Sequence, residues 1–400
     1  MKRFYFIAVA LTALAVGCTK SNLVDLPETL ETPIAFEPYA GKTPTTKASV
    51  MTGAILETYN DDETPAFHVT AFIPNEYSKP YMDKDVWCET PSVAETETTE
   101  ATPATWKYSG MAYWPESKLQ FVAYGLNANK ELATGSTSAI EFVSTNPLTQ
   151  FTYTVSDLVS DQEDLIVADS LERSSQNGAA VNLQFQHLLS KVGFSLQTNQ
   201  ANDVMVTIKK VELKGKFHKT GTVDMLQKGD NLKVTPPTET AGTVSYSLFG
   251  ELGTDNIIES YDPDATASAD YLCFQGASVG PNTSTPIYAS HILTTTVAEV
   301  KTESISENDS ADPNNRYMML IPCTPGTTGS KATIDVIYQL TDAEEQKAKV
   351  ELPENFVFEK GKGYEFVLKV STMAVSFQVE VIDWATGTVD ASYTLTPVVE

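Results

Sequence analysis

Four hundred residues, 42% of them hydrophobic, suit two or three packed domains. Fifty-two acidic residues against 27 basic ones give a formal charge of −25. Such a surface repels nucleic-acid phosphates and anionic membranes, which excludes both as partner surfaces and leaves a well-solvated exterior as the reading of the charge.

The chain opens with Lys2-Arg3 and an apolar run from Phe4 to Val16. That run is too short to cross a hydrocarbon layer of ~30 Å as a helix, so residues 1–17 read as a signal peptide. Leu14-Ala15-Val16-Gly17-Cys18 has the form of a lipobox, with alanine where leucine is usual, and Cys18 is the predicted lipidation site. Thr19 to Glu31 forms a polar tether. Thr32 to Tyr39 then alternates, with Ile34 and Phe36 facing one way and Ala35 and Glu37 the other, which predicts a short half-buried strand. Pro33 and Pro38 bracket it and confine it to a sheet edge. A loop with Gly41 and Pro44 follows and ends in Lys47-Ala48, an exposed basic position suited to proteolysis.

Strands are predicted almost everywhere downstream. They cover Ala66 to Ile73, Leu119 to Tyr124, Phe151 to Val155, Asp164 to Ala168 and Val181 to Phe185. Further strands cover Val192 to Leu196, Val204 to Leu213, Tyr317 to Ile321 and Ala332 to Leu340. Alternation is clearest at Tyr364, Phe366, Leu368 and Val370, then at Val375, Phe377, Val379 and Val381. No segment sustains helical periodicity over a dozen residues, so the expected class is all-β, built as antiparallel sandwiches. Glu89 to Thr105, Asp262 to Asp270 and Glu307 to Asn315 read as surface loops.

Chemistry-bearing patterns are few. After Cys18 come only Cys88, Cys273 and Cys323, with no CxxC pair, which excludes a dense disulfide framework and a zinc site. Cys273 and Cys323 lie in strand-like runs, where a disulfide and buried free thiols are both open. Asp262, Asp264 and Asp270 lack the glycine and terminal glutamate of an EF-hand loop. Gly276-Ala277-Ser278-Val279-Gly280 matches the spacing of a nucleophile elbow, but loop residues follow where the elbow needs a helix. His68, His187, His218 and His291 make no metal-ligand spacing. No catalytic residue, metal ligand or cofactor is predicted, and the chain is not expected to be an enzyme. Asp169-Ser170-Leu171 and Asp309-Ser310-Ala311 look like short O-glycan acceptor sites.

Several pieces, taken in order, carry a resemblance. They are the lipobox at Cys18, Thr32-Pro33-Ile34-Ala35-Phe36, Thr46-Lys47-Ala48, Tyr113-Trp114-Pro115, Leu119 to Tyr124 and Asp164 to Ala168. The most specific is Leu183 to Val192, with Phe185, His187, Ser190 and Lys191 in an F-x-H-x-x-[SA]-K arrangement. Lys360 to Tyr364 and Val379 to Trp384 complete the set. The chain resembles the fimbrillin family of Bacteroidetes, the subunits of type V pili. The resemblance implies two transthyretin-like β-sandwich domains, 48–185 and 186–384, after a signal peptide (1–17) and a lipidated tether with a removable first strand (18–47). A tail, 385–400, follows them. The resemblance also implies an outer-membrane lipoprotein precursor that is cut after Lys47, before Ala48, and so loses lipid and first strand together. The opened groove then takes a strand from another pilin subunit. Val389, Ala391, Tyr393 and Leu395 alternate with polar residues and form the candidate donor; pairing of this tail within its own domain is the alternative. His187 is expected to be a buried structural residue at the handover between domains. The competing reading is a surface lipoprotein that binds glycans or host proteins and never polymerises.

Overall fold

Alternating side chains become strands throughout the computed structural model, which describes residues 32–40, 56–59, 65–94, 100–126, 140–143, 148–155, 162–175, 179–198, 206–237, 244–247, 269–273, 278–279, 287–288, 290–294, 317–326, 331–340, 344–370, 375–383 and 389–395. The first half holds β1 (Phe36–Tyr39), β2 (Phe67–Phe72), β3 (Met82–Thr90), β4 (Thr105–Tyr108) and β5 (Leu119–Leu126). It continues with β6 (Ile140–Phe142), β7 (Gln150–Thr154), β8 (Leu165–Ala168), β9 (Leu171–Arg173) and β10 (Val181–His187). Next come β11 (Ser190–Thr198), β12 (Val206–Gly215), β13 (Thr220–Asp224), β14 (Val234–Thr235) and β15 (Val244–Ser247). Short strands β16 (Ala269–Cys273), β17 (Ser278–Val279), β18 (Ile287–Tyr288) and β19 (Ser290–Thr294) follow. The last are β20 (Tyr317–Leu320), β21 (Thr333–Leu340), β22 (Glu345–Glu351), β23 (Lys362–Val370), β24 (Val375–Asp383) and β25 (Val389–Leu395). The fold is all-β, as the alternation predicts.

The first large sheet runs β1-β10-β8-β5-β2-β3-β4, with β9 also on β5. Both of its faces are covered. On β5, Leu119, Phe121 and Ala123 join one core, while Val122, Tyr124 and Leu126 join another. A strand buried on two faces reads as an unbroken apolar run, which is why Leu119 to Leu126 does not alternate cleanly. The second core lies against the sheet β14-β13-β7-β6. β7 comes from before residue 186 and β13 from after it, paired from Gln150↔Asp224 to Thr154↔Thr220, so this sheet interlaces the two halves of the chain.

β10 ends at His187 and β11 begins at Ser190, with the Leu188-Leu189 corner between them. Leu188 N–H donates to Leu165 O, and Leu189 O accepts from Gly361 N–H, gripping the corner from both sides. Gly361 has φ +66°, a left-handed backbone that a side chain would strain. From there β11 lies parallel to β23 in the sheet β18-β11-β23-β24-β25, with β20 also on β11. Phe194 and Phe366 stack between those two strands at 5.2 Å. The sheet β15-β12-β21-β22, with β17 on β12, and the pair β16-β19 complete the described strands.

Three expectations need adjustment. Glu89 to Thr105 is not a plain loop: β3 runs to Thr90, β4 starts at Thr105, and Val93 bridges Thr102, so its described residues extend the β3–β4 hairpin. Solvated threonines and glutamates need no burial to pair their backbones. Pro38 lies within β1 instead of closing it. Ser170 is 2% exposed and its hydroxyl donates to Leu226 O, so it is inaccessible as a glycan acceptor. Cys88 and Cys323 are free thiols. Ser278 lies in β17, paired with Thr207. Asp309-Ser310-Ala311, Asp262 and Asp264 fall outside the described residues.

Candidate functional site

The first strand is where sequence, packing and connectivity converge. The chain reaches it from the body only through residues 41–55, and it is bonded along both sides. On one side β1 pairs in parallel with β10, from Phe36↔Val181 to Tyr39↔Gln184, and Val181 N–H donates to Ala35 O at 2.7 Å. On the other, Ile34 N–H donates to Ala112 O at 2.9 Å, Trp114 N–H donates to Thr32 O at 3.0 Å, and Pro33 bridges Tyr113. Residues 32–39 thus close a slot between β10 and the segment Ala112–Trp114. Pro38 is tolerated at this edge because its missing N–H leaves no ladder bond unmade.

The side chains divide as the alternation predicts. Ile34 is 2% and Phe36 5% exposed, while Ala35 and Glu37 face solvent. Phe36 sits edge-on to three rings: Tyr108 at 5.7 Å, Phe121 at 6.2 Å and Phe67 at 6.3 Å. Tyr108 also reads the backbone. Its hydroxyl donates to Ile34 O at 2.7 Å and accepts from Ala112 N–H at 3.4 Å, tying the strand to the slot's wall. Burial raises the Tyr108 pKa above its ordinary value. Sequence reasoning found Ile34 and Phe36 but missed Tyr108. Its one signal was the period-two spacing of Trp106 and Tyr108 ahead of Tyr113-Trp114-Pro115.

Where the strand leaves the slot, Tyr39, Ala40, Phe185, Gln186, His187, Lys360, Gly361, Lys362 and Asp383 line a cleft of about 210 Å³. Lys360 Nζ donates to Gln186 Oε1, Gly229 O and Leu232 O at 2.7–2.9 Å, and burial lowers its pKa. Lys362 pairs with Asp383 at 2.7 Å. His187 is buried, with Nδ1 2.8 Å from Asp164 Oδ2. The Lys360 bond to Gln186 ties β10 to the turn ahead of β23, while His187 and Asp164 hold β10 against the start of β8.

The candidate donor Val389, Ala391, Tyr393 and Leu395 lies on β25, which among the described residues pairs with β24, with Val379↔Tyr393 and Phe377↔Leu395 in register. Of the two alternatives for the tail, this is the pairing within its own sheet. Leu395 is 6% exposed. Cys18, Lys47 and Ala48 fall outside the described residues. No group of metal-ligating side chains occurs among the described residues, and none of their helices is long and apolar enough to cross a membrane.

An all-β body whose outer sheet is closed by a separately tethered N-terminal strand defines the class of protein. The Fimbrillin-like family matches residues 81–384, about three quarters of the sequence, and the chain belongs to that family. A fimbrial protein from Bacteroides vulgatus ATCC 8482 overlays with TM-score 0.53 at 16% identity, covering 88% of this chain and 99% of that one, which shows a shared fold. A fimbrial assembly protein from Parabacteroides distasonis ATCC 8503 covers 88% of this chain and 95% of its own, at 11% identity and TM-score 0.38. No curated protein matches the chain.

Proposed function

We propose that the chain is a subunit of a surface fimbria, exported as a lipoprotein through Cys18 and assembled by replacement of its first strand. The observation that carries this reading is the two-sided slot: Thr32 to Tyr39 fills it, and one cut beyond it frees the filler from the body. Membership of the fimbrillin-like family supports the same reading. Cleavage after Lys47, before Ala48, removes the tether 18–47 with Ile34 and Phe36. The emptied slot exposes the rings around Phe36 and two rows of unpaired backbone groups. Burying one such side chain is worth ~1.5–3 kcal/mol, and open strand edges recruit other strands. A strand from another subunit restores both. The layout that follows has a β-sandwich at 48–185, a second at 186–384 and the tail 385–400 as donor, with the precursor on the outer membrane and the product at the cell surface.

Limited trypsin treatment of the purified precursor tests this, read as a ladder on an unboiled gel. The wild type forms a ladder of head-to-tail chains. Lys47→Ala and a chain truncated after Trp384 do not. A ladder from the truncated chain removes the tail as donor. No ladder from the wild type, with the cut at Lys47 verified, favours the second reading, a surface lipoprotein that binds glycans or host proteins. Tyr81, 42% exposed, and Met111, 74% exposed, beside Tyr113 are the observation behind that reading.

A further inference from the structure

The cleft at the end of β1 is lined in a way that the seating of the strand does not require. Part of its lining is apolar. Phe185 is 7% and Ala40 2% exposed, while Tyr39, 47% exposed, adds a ring that solvent reaches. The ladder fixes Tyr39 there, opposite Gln184 in the parallel pairing of β1 with β10. The polar lining is of two kinds. Lys360 and Gln186 are committed to the body: Lys360 holds Gln186, Gly229 O and Leu232 O, and Gln186 donates to Asp169. Lys362 and Asp383 lie opposite each other across β23 and β24, 2.7 Å apart, with side chains 22% and 26% exposed. A ligand in the cleft thus meets an aromatic ring and, within its reach, a strong donor next to a strong acceptor.

Size and charge narrow the ligand. A volume of about 210 Å³ falls below the ~300–1,000 Å³ of clefts that enclose drug-sized molecules, so it takes one ring-sized group. An anion is repelled by a chain of net charge −25, and a cation meets the ammonium groups of Lys360 and Lys362. What remains is a neutral ring with an apolar face and adjacent hydroxyls. An ammonium has three donors and a carboxylate about four acceptor sites, so Lys362 and Asp383 keep each other while each bonds a hydroxyl. We propose that the cleft binds one neutral hexose ring, its C–H face on Tyr39 and two adjacent hydroxyls on Lys362 and Asp383. The assignment rests on the glycan-binding part of the second reading above and not on strand replacement, and it moves that binding from Tyr81 and Met111 to the cleft.

Saturation-transfer NMR on the full, uncut chain tests this, with the methyl glycosides of glucose, galactose, mannose and glucuronic acid as probes. At least one neutral hexoside is expected to receive saturation on its ring C–H protons, with a roughly millimolar Kd for so small a ligand, and the glucuronide none. Tyr39→Ala weakens binding at least roughly fivefold, and Tyr39→Phe, which keeps the ring face, stays within about twofold. Asp383→Asn weakens it at least roughly threefold by removing a charge-assisted bond. Tyr81→Ala leaves it unchanged. Tyr39 is half exposed, so its variants keep the wild-type Tm and report on binding alone. Binding kept in Tyr39→Ala but lost in Tyr81→Ala overturns the assignment to the cleft and leaves the glycan-binding reading standing. Preference for the glucuronide overturns the neutral class. Silence from every hexoside overturns the inference, whereas the glycan-binding reading falls only if an array of complete glycans is silent too.

Discussion

His68 shows what one side chain contributes on the far side of the same sheet. It projects from β2 between two carboxylates of β3, with Nε2 2.8 Å from Asp83 and Nδ1 2.7 Å from Asp85, while Thr70 donates to Asp83 at 2.9 Å. Burial works against the charged imidazole, but hydrogen bonds and charge from Asp83 and Asp85 outweigh it, and the pKa is raised to about 9. Asp83 is held below its usual range, first by the bond from His68. An unfolded histidine titrates near ~6.5, so the stabilisation is complete below that value and is lost as pH rises through the folded pKa. We predict that the gap in Tm between wild type and His68→Asn is widest near pH ~6 and closes toward pH ~9.5. A gap independent of pH would count against a charged His68. The sequence shows His68 as a histidine in a strand. Its partners depend on the β2–β3 register, Thr70↔Asp83 and His68↔Asp85, and no local pattern contains that.

At the scale of elements, alternation was enough to place most strands, because period two follows directly from half-burial. Val389–Leu395 was legible to the residue, and Ile34 and Phe36 were correctly turned inward. The missed elements are those that alternation does not mark. The β3–β4 arm is polar along its outer reach, and β1 pairs in parallel with a strand 145 positions away (Val181 minus Phe36). The proposed removal of the first strand sets a test. In the intact chain Phe36→Ala should cost about 3–5 kcal/mol in urea unfolding, as other buried phenylalanines do. After cleavage and loss of the strand, wild type and variant should unfold alike. A persistent difference in the cut proteins would mean that the strand stays bound.

For the whole molecule, charge and topology act together. A subunit with net charge −25 meets copies of the same sign. Under the proposed assembly, strand insertion must overcome that repulsion, which salt screens over ~8 Å at physiological ionic strength. Chain growth by the cut protein should therefore accelerate on going from roughly 20 to 200 mM NaCl, measured by light scattering. Slowing would indicate that attraction between unlike patches brings the subunits together. The interlaced sheet, with β13 and β14 closing on β7, was invisible in the sequence because pairing partners far apart leave no local trace.

The parallel pairing of β1 with β10 also sets an order in time. The segment made first cannot be held on both sides until nearly 150 further residues have been made and arranged, since the β10 wall of the slot does not exist earlier. Closing so long a loop is entropically costly and comes late, once the surrounding contacts are in place. A newly made molecule thus passes through a state in which β10 has yet to close the slot. Under the proposed strand replacement, the choice in that interval between its own strand and a neighbour's is a race, decided by how tightly the strand is tethered and how crowded the surroundings are. A covalent link keeps the local concentration of the native strand high, so under that proposal it would delay the joining of each subunit to its neighbours.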